Sequence, residues 1–290
     1  MVTKTGSKTA GINVLRADNL NSLDWLVHGF STRAGGFSKV YGRKTLNLGF
    51  TKLDERQTVE KNRAAFLKEL GNGVASWPII TLRQVHSDLI HCVVKADEHP
   101  PGDGVITQTP GLLLAVQTAD CVPVLLADSK QKVVGAFHAG WRGTVKRIVE
   151  KGVGEMHRYF GTNAANLRAA IGPCIHSCCY EVGEEVRDAY RSQFSYADEL
   201  FREVRDSDPV KEKYPLLFMN ARAPGHGPDE PKIFLDLVAA NRQQLLDAGV
   251  RSRNISASDL CTSCRTDLLF SYRKEKDATG RLMAVIGLKP

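Results

Sequence analysis

Apolar positions along this chain gather in short clusters punctuated by glycine, proline and acidic or hydroxyl residues, with two long stretches where they recur at helical spacing instead. "WLVHGFSTRAGGFS" reads as a strand running into a Gly35–Gly36 turn, where a positive φ is tolerated. Val59, Phe66, Leu67 and Leu70 share one side of a helix over 55–70, with Gly71 as its stop. "PIITLRQV" and "LIHCVVKA" read as strands flanking the polar His86-Ser87-Asp88, and "GVITQTPGLLLAVQT", "CVPVLLAD" and "KVVGAFHA" continue the series. Val145, Ile148, Val149, Gly152, Val153, Met156 and Phe160 form a stripe that predicts a helix over 143–160. "LRAAIG" returns as a strand and "GEEVRDAYRSQF" as a helix. A further helix covers 236–248, with Asp236 as N-cap and Gly249 beyond its end. "LLFSYRK" and "RLMAVIGL" read as a closing hairpin-like strand pair.

Strands mixed with four helices, without regular βαβ alternation, predict an α+β fold. We expect a single layered domain over 11–290, with mixed β-sheets packed between helices in an α/β/β/α-like sandwich. Residues 1–10 are expected to be a loose, flexible tail. Residues 203–232, with Pro209, Pro215, Pro224, Pro228 and Pro231, read as an irregular surface excursion.

With 290 residues, 42% hydrophobic and 24% charged, the chain is long enough and ordinary enough to bury a sizeable core. The net charge of +7 favours anionic partners. The cations are scattered, however, without a block of like charge, and no nucleic-acid-binding motif accompanies them. A small phosphate-bearing or phosphate-using substrate suits this balance, and no nucleic-acid partner is expected. No apolar run approaches a membrane span, and "MVTKTGSKTAGINVLR" lacks the apolar core of a signal peptide. The expected setting is a reducing cytoplasm, in which a special cysteine would be chemical rather than a crosslink.

Three residues stand out. Cys121 in "TADCVPVLLAD" begins a buried strand, a place where cysteine is commonly plain packing. His86 in "RQVHSD" sits in a polar turn between strands, and His138 in "FHAGWRGT" ends an apolar strand just before a helix. Two imidazoles and a thiolate suit zinc, and three protein ligands with one open position is the catalytic pattern. The three lie too far apart along the chain to form a local ligand motif, so core filler and surface histidine stay open as readings. Gly140, Gly143 and Arg142 make a candidate anion site at the helix entry. Asp120 neighbours Cys121, but successive residues of a strand face opposite ways, so it is expected to support rather than ligate. "CTSC", Cys261 and Cys264, is half of a structural zinc motif that Cys174, Cys178 or Cys179 could complete. His91, His99, His157 and His176 have no partner pattern. The zinc nucleobase deaminase signature, the dinucleotide-binding GxGxxG and the P-loop are absent.

These stretches, together with "HGFSTRAGGFS", "TLNLGF", "IGPCIHSCCYEVGEEV", "LDLVAANRQQLLDAGV" and "CTSCRTDLLFSYRKEKDATGRLMAVIGL", resemble the laccase-domain, or YfiH-type, family of purine nucleoside phosphorylases over residues 28 to 288. The resemblance implies a zinc held by His86, Cys121 and His138, and a pocket that uses Arg33 and Asn47. Read by themselves, those last two residues would simply hold loops. It further implies phosphorolysis of adenosine, inosine or guanosine by inorganic phosphate, with adenosine deamination and methylthioadenosine cleavage as related activities. Phe137 stands where the family commonly has a smaller apolar residue, and 203–232 follows no family pattern. Two other enzymes use the same residues. A copper polyphenol oxidase would want an axial methionine and far more than eight histidines. A cysteine hydrolase would use Cys121 as nucleophile and His138 as base. A non-enzymatic binding module fits poorly with the polar cluster at the strand ends.

Overall fold

The computed structural model describes residues 2–5 (backbone only), 11–71, 73–95, 100–205 and 231–290. The chain's contacts divide it into two compact units, Met1–His176 with Leu237–Pro290, and Ser177–Asp236, where a single domain was expected.

The first unit is built on two six-stranded mixed sheets. One joins β1 (Val2–Thr5), β2 (Val14–Ala17), β3 (Leu26–Ser31), β5 (Ile79–Thr81), β8 (Leu113–Thr118) and β16 (Leu282–Leu288) in the order β1-β2-β3-β16-β8-β5. The other joins β6 (Ile90–Cys92), β7 (Gly104–Thr107), β9 (Val122–Asp128), β10 (Val133–Ala139), β11 (Leu167–Ile171) and β15 (Ile255–Ala257) in the order β15-β11-β9-β10-β7-β6. A short strand, β4 (Ala34–Ser38), bridges Thr45 at both ends. Among the described residues this unit's shorter helices are α1 (Asp18–Asn21), α3 (Trp141–Val145), α6 (Leu237–Asp247) and α7 (Tyr272–Glu275). Two are longer, α2 (Arg56–Leu70) and α4 (Ile148–Phe160).

The core lies between the sheets. Leu15, Phe30, Leu114, Val116 and Ile286 of the first sheet pack against Val105, Leu125, Ala127, Val134 and Ala170 of the second. On the outer side of the first sheet, Phe66, Leu67 and Leu70 of α2 cover Val14, Val27, Leu113, Ala115 and Val285. On the outer side of the second, α4 lies over β10, where a Cβ at Gly152 would stand 2.4 Å from the Phe137 ring. Gly104 and Gly135 open the same space, which is how this chain accommodates so large a side chain at 137. The layers are thus helix, sheet, sheet, helix, as expected. Strands β9, β10 and β16 are buried on both faces and so read as continuous apolar runs rather than alternating ones.

Several expectations are corrected. The helix over 143–160 is two, separated by Arg147 at φ +63°. "LLFSYRK" is no strand: Leu268, Leu269 and Phe270 pack in a separate cluster with Tyr41 and Leu282. Ser271 then caps α7 by accepting the Lys274 N–H, so the chain turns helical where an extended run was anticipated. Its supposed partner β16 pairs instead with β3 and β8. Val2–Thr5, within the expected loose tail, pair antiparallel with Val14–Ala17. Most of the 203–232 excursion lies outside the described residues.

The second unit contains β12 (Glu181–Val182), β13 (Phe201–Val204), β14 (Lys232–Leu235) and α5 (Glu184–Arg191). Its antiparallel sheet runs β12-β14-β13, and Tyr190, Phe194 and Phe201 form an aromatic cluster beside it.

Candidate metal centre

Two of the chain's crossings from the first sheet to the second carry candidate ligands. The β5–β6 crossing carries His86, and the β8–β9 crossing, Ala119–Cys121, carries Cys121. A strand that leaves one sheet for the other must bend sharply. His86 takes φ +57° and Asp120 φ +94°, left-handed values uncommon for residues with a Cβ. His138 sits at the end of β10, between these crossings and α3.

The ligand atoms of His86, Cys121 and His138 all lie within 4.8 Å of one another. Cys121 Sγ is 3.8 Å from His86 Nε2, and the two imidazole rings meet edge to face at 4.9 Å between centroids. Behind them is Asp103, fully buried at the start of β7. Its Oδ1 receives His138 Nδ1 at 2.8 Å, which places the Nδ1 proton between them and makes Nε2 the nitrogen that would ligate an ion. The same carboxylate accepts the backbone N–H groups of Val85, His86 and Ser87 (3.3, 3.1 and 2.6 Å) and the Ser87 hydroxyl at 2.7 Å. The Asp103 carbonyl accepts the His138 amide at 2.7 Å. One buried side chain therefore fixes both histidine-bearing segments.

Electrostatics follow from that geometry. Burial works against the Asp103 carboxylate, but hydrogen bonds from His138 and Ser87 hold it down at about 2. Burial pushes the Cys121 thiol up; the His138 charge and hydrogen bonds from both imidazoles outweigh it and lower it. Burial likewise opposes charge on His138, while Cys121 and Asp103 raise it. In the metal-free site the pair favours thiolate beside imidazolium, so the sulfur is already the anion that a metal needs, and an ion would displace the proton from His138 Nε2 to free that lone pair.

The donor set fits a soft-to-borderline divalent ion, with two nitrogens, one sulfur and a histidine braced by a carboxylate. The surroundings fit as well. A Cβ at Gly140 would meet His86 Cδ2 at 2.9 Å and Cys121 Sγ at 3.0 Å, and one at Gly143 would meet the Ser87 carbonyl at 3.0 Å. These glycines, read from the sequence as an opening for an anion, are where the histidine-bearing turn and the sulfur press against the helix entry. Arg142 is exposed and stacks over Trp141 at 4.4 Å.

The other predicted residues are engaged by the chain itself. Asn47 is fully buried; its Nδ2 donates to the Gly49 carbonyl and Asp54, and its Oδ1 accepts from the amides of Gly49 and Arg281. Arg33 donates to the carbonyls of Thr266 and Tyr41 and pairs with Glu275 at 2.7 Å, its guanidinium 4.8 Å over Phe270. The "CTSC" turn puts Cys261 inside, where its sulfur accepts the His176 amide at 3.5 Å, and Cys264 at the surface. Cys178 and Cys179 belong to the second unit. Sequence reasoning missed Asp103. "PPGDGV" reads as a turn, and an acid ahead of an apolar strand carries no local mark of the histidine it will brace.

The family model described as multi-copper polyphenol oxidoreductase laccase matches residues 27–289. The chain belongs to this laccase-like family. A relative called purine nucleoside phosphorylase from Deinococcus radiodurans is 37% identical over 96% of this chain and 94% of its own length. Adenosine deaminase RL5, from an unidentified prokaryote, is 37% identical over 62% of this chain and 59% of its own. Among solved structures, the Bacillus licheniformis hypothetical protein YfiH superposes with a TM-score of 0.79 at 32% identity, covering 97% of this chain and 98% of that one. Among the described residues no helix is long and apolar enough to cross a membrane. An enzyme of purine nucleoside processing with a candidate metal centre is the reading these relatives support.

Proposed function

We propose that this chain is a cytoplasmic, zinc-dependent purine nucleoside phosphorylase that acts on adenosine, inosine and guanosine, with adenosine deamination and methylthioadenosine phosphorolysis at the same centre. The observation that carries it is the convergence of His86, Cys121 and His138 around one point, with Asp103 directing the His138 lone pair inward. The relatives' names supply the substrate class.

His86, Cys121 and His138 would hold the ion. When bound, it would supply positive charge at this site, worth several kcal/mol to a developing anion. The protein's own part is placement. Phosphorolysis needs a phosphate oxygen in line with C1′ as the C1′–N9 bond breaks, giving base and ribose 1-phosphate. Arg142, exposed just after His138, is our candidate for the phosphate. Arg33 and Asn47 are committed to their own loops and would shape the pocket rather than touch substrate.

A copper-centred reading has one finding in its favour, the family's description. Against it, among the described residues only one cluster of potential ligands contains histidine.

The deciding assay is inosine turnover with and without phosphate, beside metal analysis. Phosphate-dependent ribose 1-phosphate and about one zinc per chain are expected, both lost in Cys121→Ala by more than the roughly 10–100-fold of an outer-shell change. Turnover indifferent to phosphate would sink the phosphorylase, oxygen uptake with a phenol would favour copper, and Cys121→Ala that keeps its zinc would remove Cys121 from the ligand set.

A further inference from the structure

Asp120 occupies a backbone conformation made for glycine, yet it is an aspartate whose carboxylate is buried and bonded twice. Its φ of +94° is a strained value for a residue with a Cβ. Its Oδ1 accepts the Thr262 hydroxyl at 2.6 Å, and its Oδ2 accepts the Arg273 amide at 2.5 Å, at the start of α7. Its own carbonyl accepts the Ile175 amide at 2.8 Å. Three segments far apart in sequence are thus tied to the residue before Cys121. Glycine would relieve the backbone at once, so the side chain is what the position requires.

We propose that Asp120 is a positioning residue for the metal centre: its carboxylate locks the sheet-to-sheet bend and thereby aims Cys121 Sγ between His86 and His138. The proposal rests on the reading of these three residues as ligands. The sulfur is confined from both sides. Gly140 leaves it room with nothing to spare, since a Cβ there would stand 3.0 Å from Sγ. On the other side, the peptide plane entering Cys121 is set by Asp120. Freed of its carboxylate, the Ala119–Cys121 link loses two of the bonds that anchor Asp120 and keeps the one from the Ile175 amide, and a bend that can rotate swings Sγ off the common point. The His86 and His138 braces at Asp103 stay intact, so the defect is specific to sulfur.

Four variants of the full chain test this: Asp120→Gly, Asp120→Asn, Thr262→Val and Thr262→Ser. Zinc affinity is read by competition with a chromophoric chelator. Sulfur placement is read from the thiolate-to-metal charge-transfer band after cobalt(II) loading, and folding from thermal unfolding of metal-free protein. Asp120→Gly is expected to lower zinc affinity roughly 10–100-fold and to weaken or shift the cobalt band, with Asp120→Asn intermediate. Thr262→Val is expected to act in the same direction by a few-fold, and Thr262→Ser, which keeps the hydroxyl, to restore the wild-type values. A folded Asp120→Gly protein with wild-type zinc affinity and cobalt band overturns the proposal. If that variant does not fold, Thr262→Val and Thr262→Ser that match each other overturn it instead. A wild type that binds no divalent ion sinks this inference together with the ligand set. A wild type that binds zinc but ignores inosine and phosphate sinks only the phosphorylase, and the cobalt spectra still decide the role of Asp120.

Discussion

Two buried polar networks of the first unit look alike at first and differ in one respect. Around Asn47, the side chains of Ser38, Asp54 and Asn62 bond to each other and to nearby backbone. Asn62 donates to Ser38 Oγ and the Asn47 carbonyl while accepting the Phe37 amide. Every hydrogen-bonding position of the Asn47 amide is taken from within. Around Asp103 the network is as dense, but it ends in two nitrogens and a sulfur turned toward one another. The first network closes on itself and holds a loop. The second holds ligands out. Buried polarity marks a place where the fold is specified; polar atoms left pointing at a common space mark a place where something else is to bind.

The largest test of this contrast is Asp103→Asn. Losing the charge that braces His138 should weaken zinc binding roughly 10–100-fold, read by chelator competition. It should also change acid stability in a defined window. In the folded chain the carboxylate is held at about 2, below its ordinary 3.8. Its contribution is therefore complete above pH 3.8 and disappears as pH falls toward 2. Urea midpoints of metal-free wild type and Asp103→Asn should differ most above pH 4 and converge near pH 2; a constant gap would mean that the charge is not what Asp103 contributes. Next comes Asn47→Ala, which should cost roughly 2–4 kcal/mol of stability by stranding buried partners. Zinc affinity should stay within about twofold of wild type, and a large loss of metal from the folded variant would show that the two networks are coupled. The smallest effect belongs to Ser87→Ala. The Ser87 backbone amide keeps its bond to Asp103, so about 1 kcal/mol of stability and a few-fold in zinc affinity are expected. An effect as large as that of Asp103→Asn would move the weight of the network from the carboxylate to its hydroxyl partner.

What the sequence disclosed and what it withheld follow the range of the interaction responsible. α2 was readable because Val59, Phe66, Leu67 and Leu70 repeat at its own pitch, and Gly71 ends it with a positive φ. The candidate ligands were readable as residue types, and the family resemblance joined them into one set. Asp103 was not, because its partners lie at 85–87 and 138 and nothing near it in sequence foretells them. The break at Arg147 escaped for the opposite reason: the apolar stripe runs straight across it, so the burial pattern is continuous where the backbone is not. "LLFSYRK" carried strand-like composition, but its buried residues serve a small side cluster and Ser271 starts a helical turn. For Arg33 and Asn47 the resemblance offers a pocket role, and the coordinates add the loop-holding bonds that no residue type foretells.

The place of β16 has a consequence for how the protein comes into being. Residues 282–288 slot between β3 and β8, which makes the middle of a sheet depend on a piece of chain synthesised some 250 residues after its neighbour began. While the polypeptide emerges from the ribosome, both flanking strands wait with open edges, and only the final insertion zips them together. Pairing across so long a stretch of chain closes a large loop, the kind of contact that slows folding and leaves strand edges exposed until it forms.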